Sequence, residues 1–427
     1  MDSITAVNRK ALPPIFIIGA LFFVFGFVTW LNGILIPYFK ISCELTDFEA
    51  TLVAFAFYIS YTIMALPSSW ILKRTGFHKG MTLGLLVMSV GTLLFVPAAL
   101  SRAYWMFLSG LFVMGAGLAI LQTAANPYIA ILGPRESAAR RISIMGICNK
   151  LAGAVAPLIL AYYILQDGDT FVQSLSGLDE VARMAALDSL AARVIGPYLV
   201  MTGVLVVLAI FVRYSPLPEV EAEPEEVEAD VAELAQKKNI LQFPHLVVGA
   251  IALFFYVGVE VIAGDTIIRY GISQGIAIST AKAFTSYTLF AMIVGYLLGI
   301  ALMPKIISQR TALTISASLG LLFSLGVILS RGSTSIVFLA LLGFANALIW
   351  PTIWPLAIHN LGRFLKTGSA ILIMAIAGGA IIPLIWGKLS DLYSQTPQVA
   401  YMVLIPSYLI ILYYSVWGYK LRSWRRR

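Results

Sequence analysis

Apolar positions along this chain come in unbroken runs of about 20 residues separated by short polar loops, the length an α-helix needs to cross the hydrocarbon of a bilayer. Six runs lie near 15–38, 50–72, 80–100, 104–132, 142–164 and 194–212, and six more near 244–270, 283–303, 312–330, 335–361, 370–389 and 399–420. The pattern predicts an all-α membrane protein of about twelve transmembrane helices.

Between the sixth and seventh runs lies a long polar segment, Ser215 to Asn239, with Glu219, Glu221, Glu223, Glu225, Glu226, Glu228, Asp230 and Glu233 among three prolines. Such a stretch cannot bury a core and reads as a flexible or partly helical linker. The expected organisation is an N-terminal six-helix bundle (1–214), an acidic cytoplasmic linker (215–240) and a C-terminal six-helix bundle (241–427). Two bundles related by an axis along the membrane normal are one known plan for transporters.

Lys and Arg in the short loops set orientation. One side carries Arg9, Lys10, Lys73, Arg74, Lys79, Arg135, Arg140, Arg141, Lys305, Arg310, Arg363, Lys366 and the basic tail, while the other holds few cations and most of the loop acids. The first side is therefore expected to be cytoplasmic, with both termini inside. The loop at 165–193 then lies outside, with room for a short interfacial helix.

Composition agrees with a membrane solvent: 59% of the 427 residues are hydrophobic and only 12% charged, against roughly half and a quarter in soluble domains. The net charge of +8 sits at the ends of the runs, as orientation in a membrane requires, and does not point to nucleic acid. Cys43 and Cys148 form no metal or disulfide pattern and read as free thiols. The short polar N-terminus leads straight into a full-length apolar run, unlike a cleavable signal peptide. No P-loop, GxSxG, HExxH or CxxC occurs, so neither an enzyme nor an ATP-driven pump has a visible apparatus. Coupling to an ion gradient is the default that remains.

An ionised side chain inside the bilayer costs a few kcal/mol or more, so each one needs a reason. Three stand out: Lys150 in the fifth run, and Glu260 and Asp265 in the seventh. The two acids are five residues apart, roughly 140° around a helix, and need not share a face. A base in one half and acids in the other suit a charge pair across the bundle interface, gating access or taking a proton or cation. The plainer alternatives are a static salt bridge or an acid near the outer surface. Polar and aromatic groups cluster elsewhere: Trp30, Asn32 and Gly33 in the first run, and Gln122 with Asn126 one helical turn apart in the fourth. In the tenth run Asn346, Trp350, Pro351, Trp354, Pro355, His359 and Asn360 repeat the theme, and Trp350 and Trp354 are expected to bracket a doubly broken helix. Aromatic faces with amides between them suit a sugar, whose C–H faces stack while its hydroxyls bond. Taken singly, a Trp is more often an interfacial anchor and an Asn a helix–helix contact.

Five stretches carry a resemblance: Leu31-Asn32-Gly33-Ile34-Leu35-Ile36-Pro37, Gln122-Thr123-Ala124-Ala125-Asn126-Pro127-Tyr128, Leu132-Gly133-Pro134, Pro351-Thr352-Ile353 and His359-Asn360-Leu361-Gly362. With them the chain resembles, over nearly its whole length, the fucose–galactose–glucose:proton symporter family of the major facilitator superfamily. The loop that the superfamily carries after its second span is reduced here to Lys73-Arg74-Thr75-Gly76 with Lys79. The resemblance implies two six-helix bundles, a central sugar site and rocker-type alternating access. In fucose-transporting members an aspartate follows the first-span asparagine and a glutamate opens the fourth-span motif; Gly33 and Gln122 stand there in this chain. Asn149 matches a sugar-contacting asparagine of the family, and Lys150 beside it is absent from the fucose members. The chain looks like the glucose/galactose branch, which includes sodium-dependent relatives.

The expected function is therefore a hexose:cation symporter of a bacterial inner membrane, monomeric, with Asn32, Gln122, Asn126, Asn149, Asn346 and Trp350 at the sugar and Asp265, Glu260 and Lys150 in coupling or gating. The coupling ion, H⁺ or Na⁺, is the only cofactor expected. A desolvated carboxylate favours its protonated form and suits a proton, whereas sodium wants several oxygens beside a broken helix. A facilitator without ion coupling, a non-transporting sugar sensor, and a carrier of another solute are the rival readings.

Overall fold

The computed structural model describes residues 14–45, 47–164, 171, 174–175, 177–215, 217, 239–276, 280, 284–393 and 395–424. Among them the secondary structure is helical throughout, without a strand. The first predicted run is α1 (Pro14–Trp30) and α2 (Asn32–Ser42), broken at Leu31. The second and third runs lie in α3 (Asp47–Leu93), two helical segments that meet at a kink, followed by α4 (Phe95–Ser101). Gly76 lies at that kink with φ 76° and ψ 178°, a conformation open to a residue without Cβ, so α3 bends there into two crossings. Then come α5 (Tyr104–Ile131), α6 (Ala138–Ile164), α7 (Glu180–Ala192) and α8 (Ile195–Tyr214). Of the acidic linker read from the sequence, 216 and 218–238 fall outside the described residues.

The second half begins with α9 (Pro244–Asp265) and α10 (Ile267–Ser273). It continues with α11 (Phe284–Leu302), α12 (Gln309–Leu329) and α13 (Gly332–Asn346). The last elements are α14 (Ile349–Ala357), α15 (Leu365–Met374), α16 (Gly378–Leu392) and α17 (Leu404–Val416). Pro244 starts α9 where an N–H would have no partner, just after a capping box between Asn239 and Gln242. Among the described residues nine helical stretches are long and apolar enough to cross a membrane, and one of them, Leu52–Ser101, is 50 residues long. With two crossings there, and α1–α2 and α6 as further apolar rods, the architecture is consistent with twelve helices.

The outer surface of the bundle is apolar: Leu329 is 81% exposed, Leu100 74% and Phe290 68%. A surface of this kind is matched to lipid tails rather than water. Between helices the packing is by small residues. A Cβ at Gly84 of α3 would sit 2.8 Å from the Gly117 carbonyl oxygen of α5, and one at Gly91 2.8 Å from the Gly110 carbonyl oxygen. The two backbones approach over two turns at positions where any side chain would hold them apart. Arg141 of α6 closes the end of α5. Its guanidinium donates to the carbonyls of Ile129 at 2.9 Å, Ala130 at 2.6 Å and Pro134 at 2.9 Å, acceptors that a helix end leaves unpaired. At the rim, α7 is capped by Asp179, which accepts from the Ala182 N–H at 2.8 Å, and is anchored by Tyr38, whose hydroxyl donates to the Leu190 carbonyl at 2.8 Å.

Helices α1, α3, α5, α6 and α8 pack chiefly on one another, as do α9, α11, α12, α13, α14, α16 and α17. The two sets meet along a seam where α6 faces α11 and α14, and α3 and α5 face α15.

Candidate functional site

A cavity opens along this seam, lined by polar and aromatic side chains from both helical sets. Gln122 and Asn126 reach it from α5, Asn149 and Lys150 from α6, Glu260 and Asp265 from α9, and Trp350 from α14. Residues far apart in sequence are thus gathered on one hollow. Two further candidates are Asn346 and Asn32. Asn346 at the end of α13 is fully buried behind the wall, and its Oδ1 accepts from the Tyr408 hydroxyl at 2.8 Å. That bond joins α13 to α17, and Asn346 is not among the residues that line the cavity. The side chain of Asn32 lies outside the described residues.

The centre of the site is an ion pair across the seam. Lys150 Nζ lies 2.6 Å from Glu260 Oε1, with the side chains only 7% and 15% exposed. The ammonium also sits 4.6 Å from the centroid of the Trp30 ring, a cation–π contact that gains strength away from water. Asp265, the last residue of α9, lines the same cavity and is open to it. Among the described residues no cation lies within ion-pair distance of Asp265. The spacing of the two acids left open whether they share a face; both line the cavity. The result is one carboxylate paired with Lys150 and a second that makes no ion pair among the described residues, in a hollow that also holds amides.

The amide wall is held by local bonds. Asn126 Nδ2 donates to the Gln122 carbonyl at 2.9 Å, its buried Oδ1 has no partner among the described residues, and Gln122 Nε2 donates to the Tyr61 hydroxyl at 3.3 Å. Asn149 Nδ2 reaches the Phe22 carbonyl at 3.5 Å. Opposite, Trp350 stacks on Trp354 with centroids 5.3 Å apart and an interplanar angle of 24°. These two indoles share the unbroken helix α14, whereas the sequence placed them around breaks. Pro351 falls in its first turn, where no helical N–H bond is lost, and the chain breaks at Ala347–Leu348 instead. Four tyrosines that the sequence did not single out, Tyr58, Tyr61, Tyr256 and Tyr296, complete the lining. Their signal was a hydroxyl in mid-span, which needs a partner when buried. Among the described residues no three of His, Cys, Asp and Glu gather as a metal cluster.

A hollow between two helical sets, lined with amides and aromatic rings and crossed by a buried charge pair, is the site of a membrane carrier. The Major Facilitator Superfamily model matches residues 18–381, and the chain belongs to that superfamily. A glucose/galactose transporter of Brucella abortus is 35% identical over 405 residues, 94% of this chain and 92% of that protein. The L-fucose-proton symporter of Escherichia coli is 28% identical over 402 residues, 93% of this chain and 91% of its own. The crystal structure of the transporter FucP in the outward conformation matches with a TM-score of 0.79 at 26% identity, covering 95% of this chain and 98% of that one.

Proposed function

We propose that the protein is a hexose:cation symporter that moves a sugar such as glucose or galactose inward by alternating access. The observation that carries the reading is the cavity at the seam, where an amide and aromatic lining surrounds the Lys150–Glu260 pair and Asp265. Gln122, Asn126 and Asn149 bond sugar hydroxyls while Trp350 stacks on a C–H face. Coupling falls to the α9 acids, since Gly33 and Gln122 stand where fucose carriers have carboxylates. A proton or sodium ion neutralises Asp265 or competes with Lys150 for Glu260. The seam can then part without exposing an unpaired charge. The protein acts as a monomer in the inner membrane of a bacterial cell, both termini cytoplasmic, with the acidic linker (215–240) joining two six-helix bundles on that side.

Uptake of radiolabelled glucose and galactose into proteoliposomes tests this, first under an imposed proton gradient and then under a sodium gradient. Accumulation above equilibrium under one of them is the expected result and names the ion. Equilibration without accumulation under both would make the protein a facilitator.

A further inference from the structure

Trp30 ends α1, and its indole lies across the seam between the helical sets. On one side it covers Gly264 of α9, where an added Cβ would come within 3.1 Å of Cη2 and Cζ3. On the other it covers Gly153 of α6, where an added Cβ would overlap Cδ1. Trp30 also packs on the buried cluster formed by Leu289, Met292, Tyr296 and Ala347. Gly153 follows Lys150 by three residues and Gly264 follows Glu260 by four, so each seat lies one turn beyond the charge pair. On the orientation proposed above, both helices run outward, and the ring lies on the outer side of the pair. The opposite end of the seam is tied by Ser69 donating to Thr367 at 3.3 Å and Gln309 donating to the Glu136 carbonyl at 3.1 Å.

We infer that Trp30 is the outer lid of the cavity, closing the seam when its indole is seated on Gly153 and Gly264 and admitting cargo when it leaves either seat. The inference rests on the transport reading and its orientation. A slot without side chains on either wall is what a planar ring needs to lie between two helices. Those walls belong to α6 and α9, so the seat exists only while the two sets are together. Lys150 connects lid to site: its ammonium faces the ring while bound to Glu260. The lid therefore registers whether the pair is closed. Separation of the sets removes one wall and the cation together, and leaves the indole free to swing.

The test is access to the cavity from outside. In a cysteine-free background (Cys43→Ser and Cys148→Ser), Val261→Cys places a thiol on the cavity wall. Its reaction with a membrane-impermeant maleimide is timed in right-side-out vesicles. The open form of a two-state lid is ordinarily a minor population, so Trp30→Ala and Gly153→Ala are each expected to speed labelling by about tenfold or more. Trp30→Phe keeps a seated ring and is expected to stay within about twofold of the parent. Unchanged labelling in both Trp30→Ala and Gly153→Ala, in protein that elutes as a single symmetric peak, would overturn the lid. Should Trp30→Ala fail to fold, Gly153→Ala decides alone. The assay needs neither sugar nor gradient, so its failure is separable from the failure of sugar uptake.

Discussion

Two ion pairs of nearly equal length sit in opposite surroundings. At the rim, Arg183 Nη2 lies 2.5 Å from Glu44 Oε1, with side chains 48% and 42% exposed. At the seam, Lys150 Nζ lies 2.6 Å from Glu260 Oε1, with side chains 7% and 15% exposed. An exposed pair contributes about 0–1 kcal/mol, because water already solvates both charges. Removing one partner of a buried pair costs about 3–5 kcal/mol, because the other is left uncompensated. Distance does not separate the two; their surroundings do. The rim pair fastens α7 within the first half, whereas the seam pair joins helices that must part in alternating access. A contact that is expensive to break and lies across a moving interface is a candidate switch; an inexpensive one within a half is a fastening.

The largest expected effect follows from this difference. Glu260→Gln leaves Lys150 buried beside a neutral amide and is expected to destabilise the purified protein by about 3–5 kcal/mol, read as a lowered Tm. The double substitution Lys150→Met with Glu260→Leu is expected to regain most of that stability, since well-packed apolar groups often replace a buried pair without loss. A single variant as mild as Arg183→Ala would erase the contrast. Next, Tyr408→Phe takes the partner from the buried Asn346 Oδ1 and is expected to cost about 1–3 kcal/mol in stability. The KM for sugar should stay unchanged, which separates a wall contact from a ligand. Trp350→Ala reverses that signature. It removes a stacking face worth about 1–2 kcal/mol, so KM is expected to rise roughly five- to thirtyfold with modest change in Tm. Smallest of all, Arg183→Ala is expected to shift stability by less than about 1 kcal/mol, and less still in high salt.

The helices were legible because a bilayer leaves little choice: about 20 apolar residues per crossing, with polar groups confined to the ends. For the same reason Lys150, Glu260 and Asp265 stood out, each being costly where it lies. Their pairing was open, because Lys150 and Glu260 are 110 residues apart and only the fold decides which helices adjoin. The amides show the limit. Asn126 and Asn346 both lie in proline-bearing runs, yet one faces the cavity and the other bonds Tyr408 inside the second set. A residue type shows what a side chain can bond, while the helix's rotation, set by its neighbours, decides what it meets. Tyr58, Tyr61, Tyr256 and Tyr296 were hidden for a related reason, since in an apolar run a tyrosine lining a cavity reads like one in the core. Trp30 and its two glycine seats lie in three separate helices, and only assembly brings them together.

The central claim is that cation coupling resides in the α9 acids, and Asp265→Asn tests it most directly because Asp265 is not part of the seam pair. Accumulation of glucose and galactose by proteoliposomes should be measured under whichever gradient drives the unaltered protein, alongside counterflow without a gradient. The account predicts that Asp265→Asn abolishes accumulation above equilibrium while counterflow persists. Undiminished accumulation by both Asp265→Asn and Glu260→Gln would contradict it.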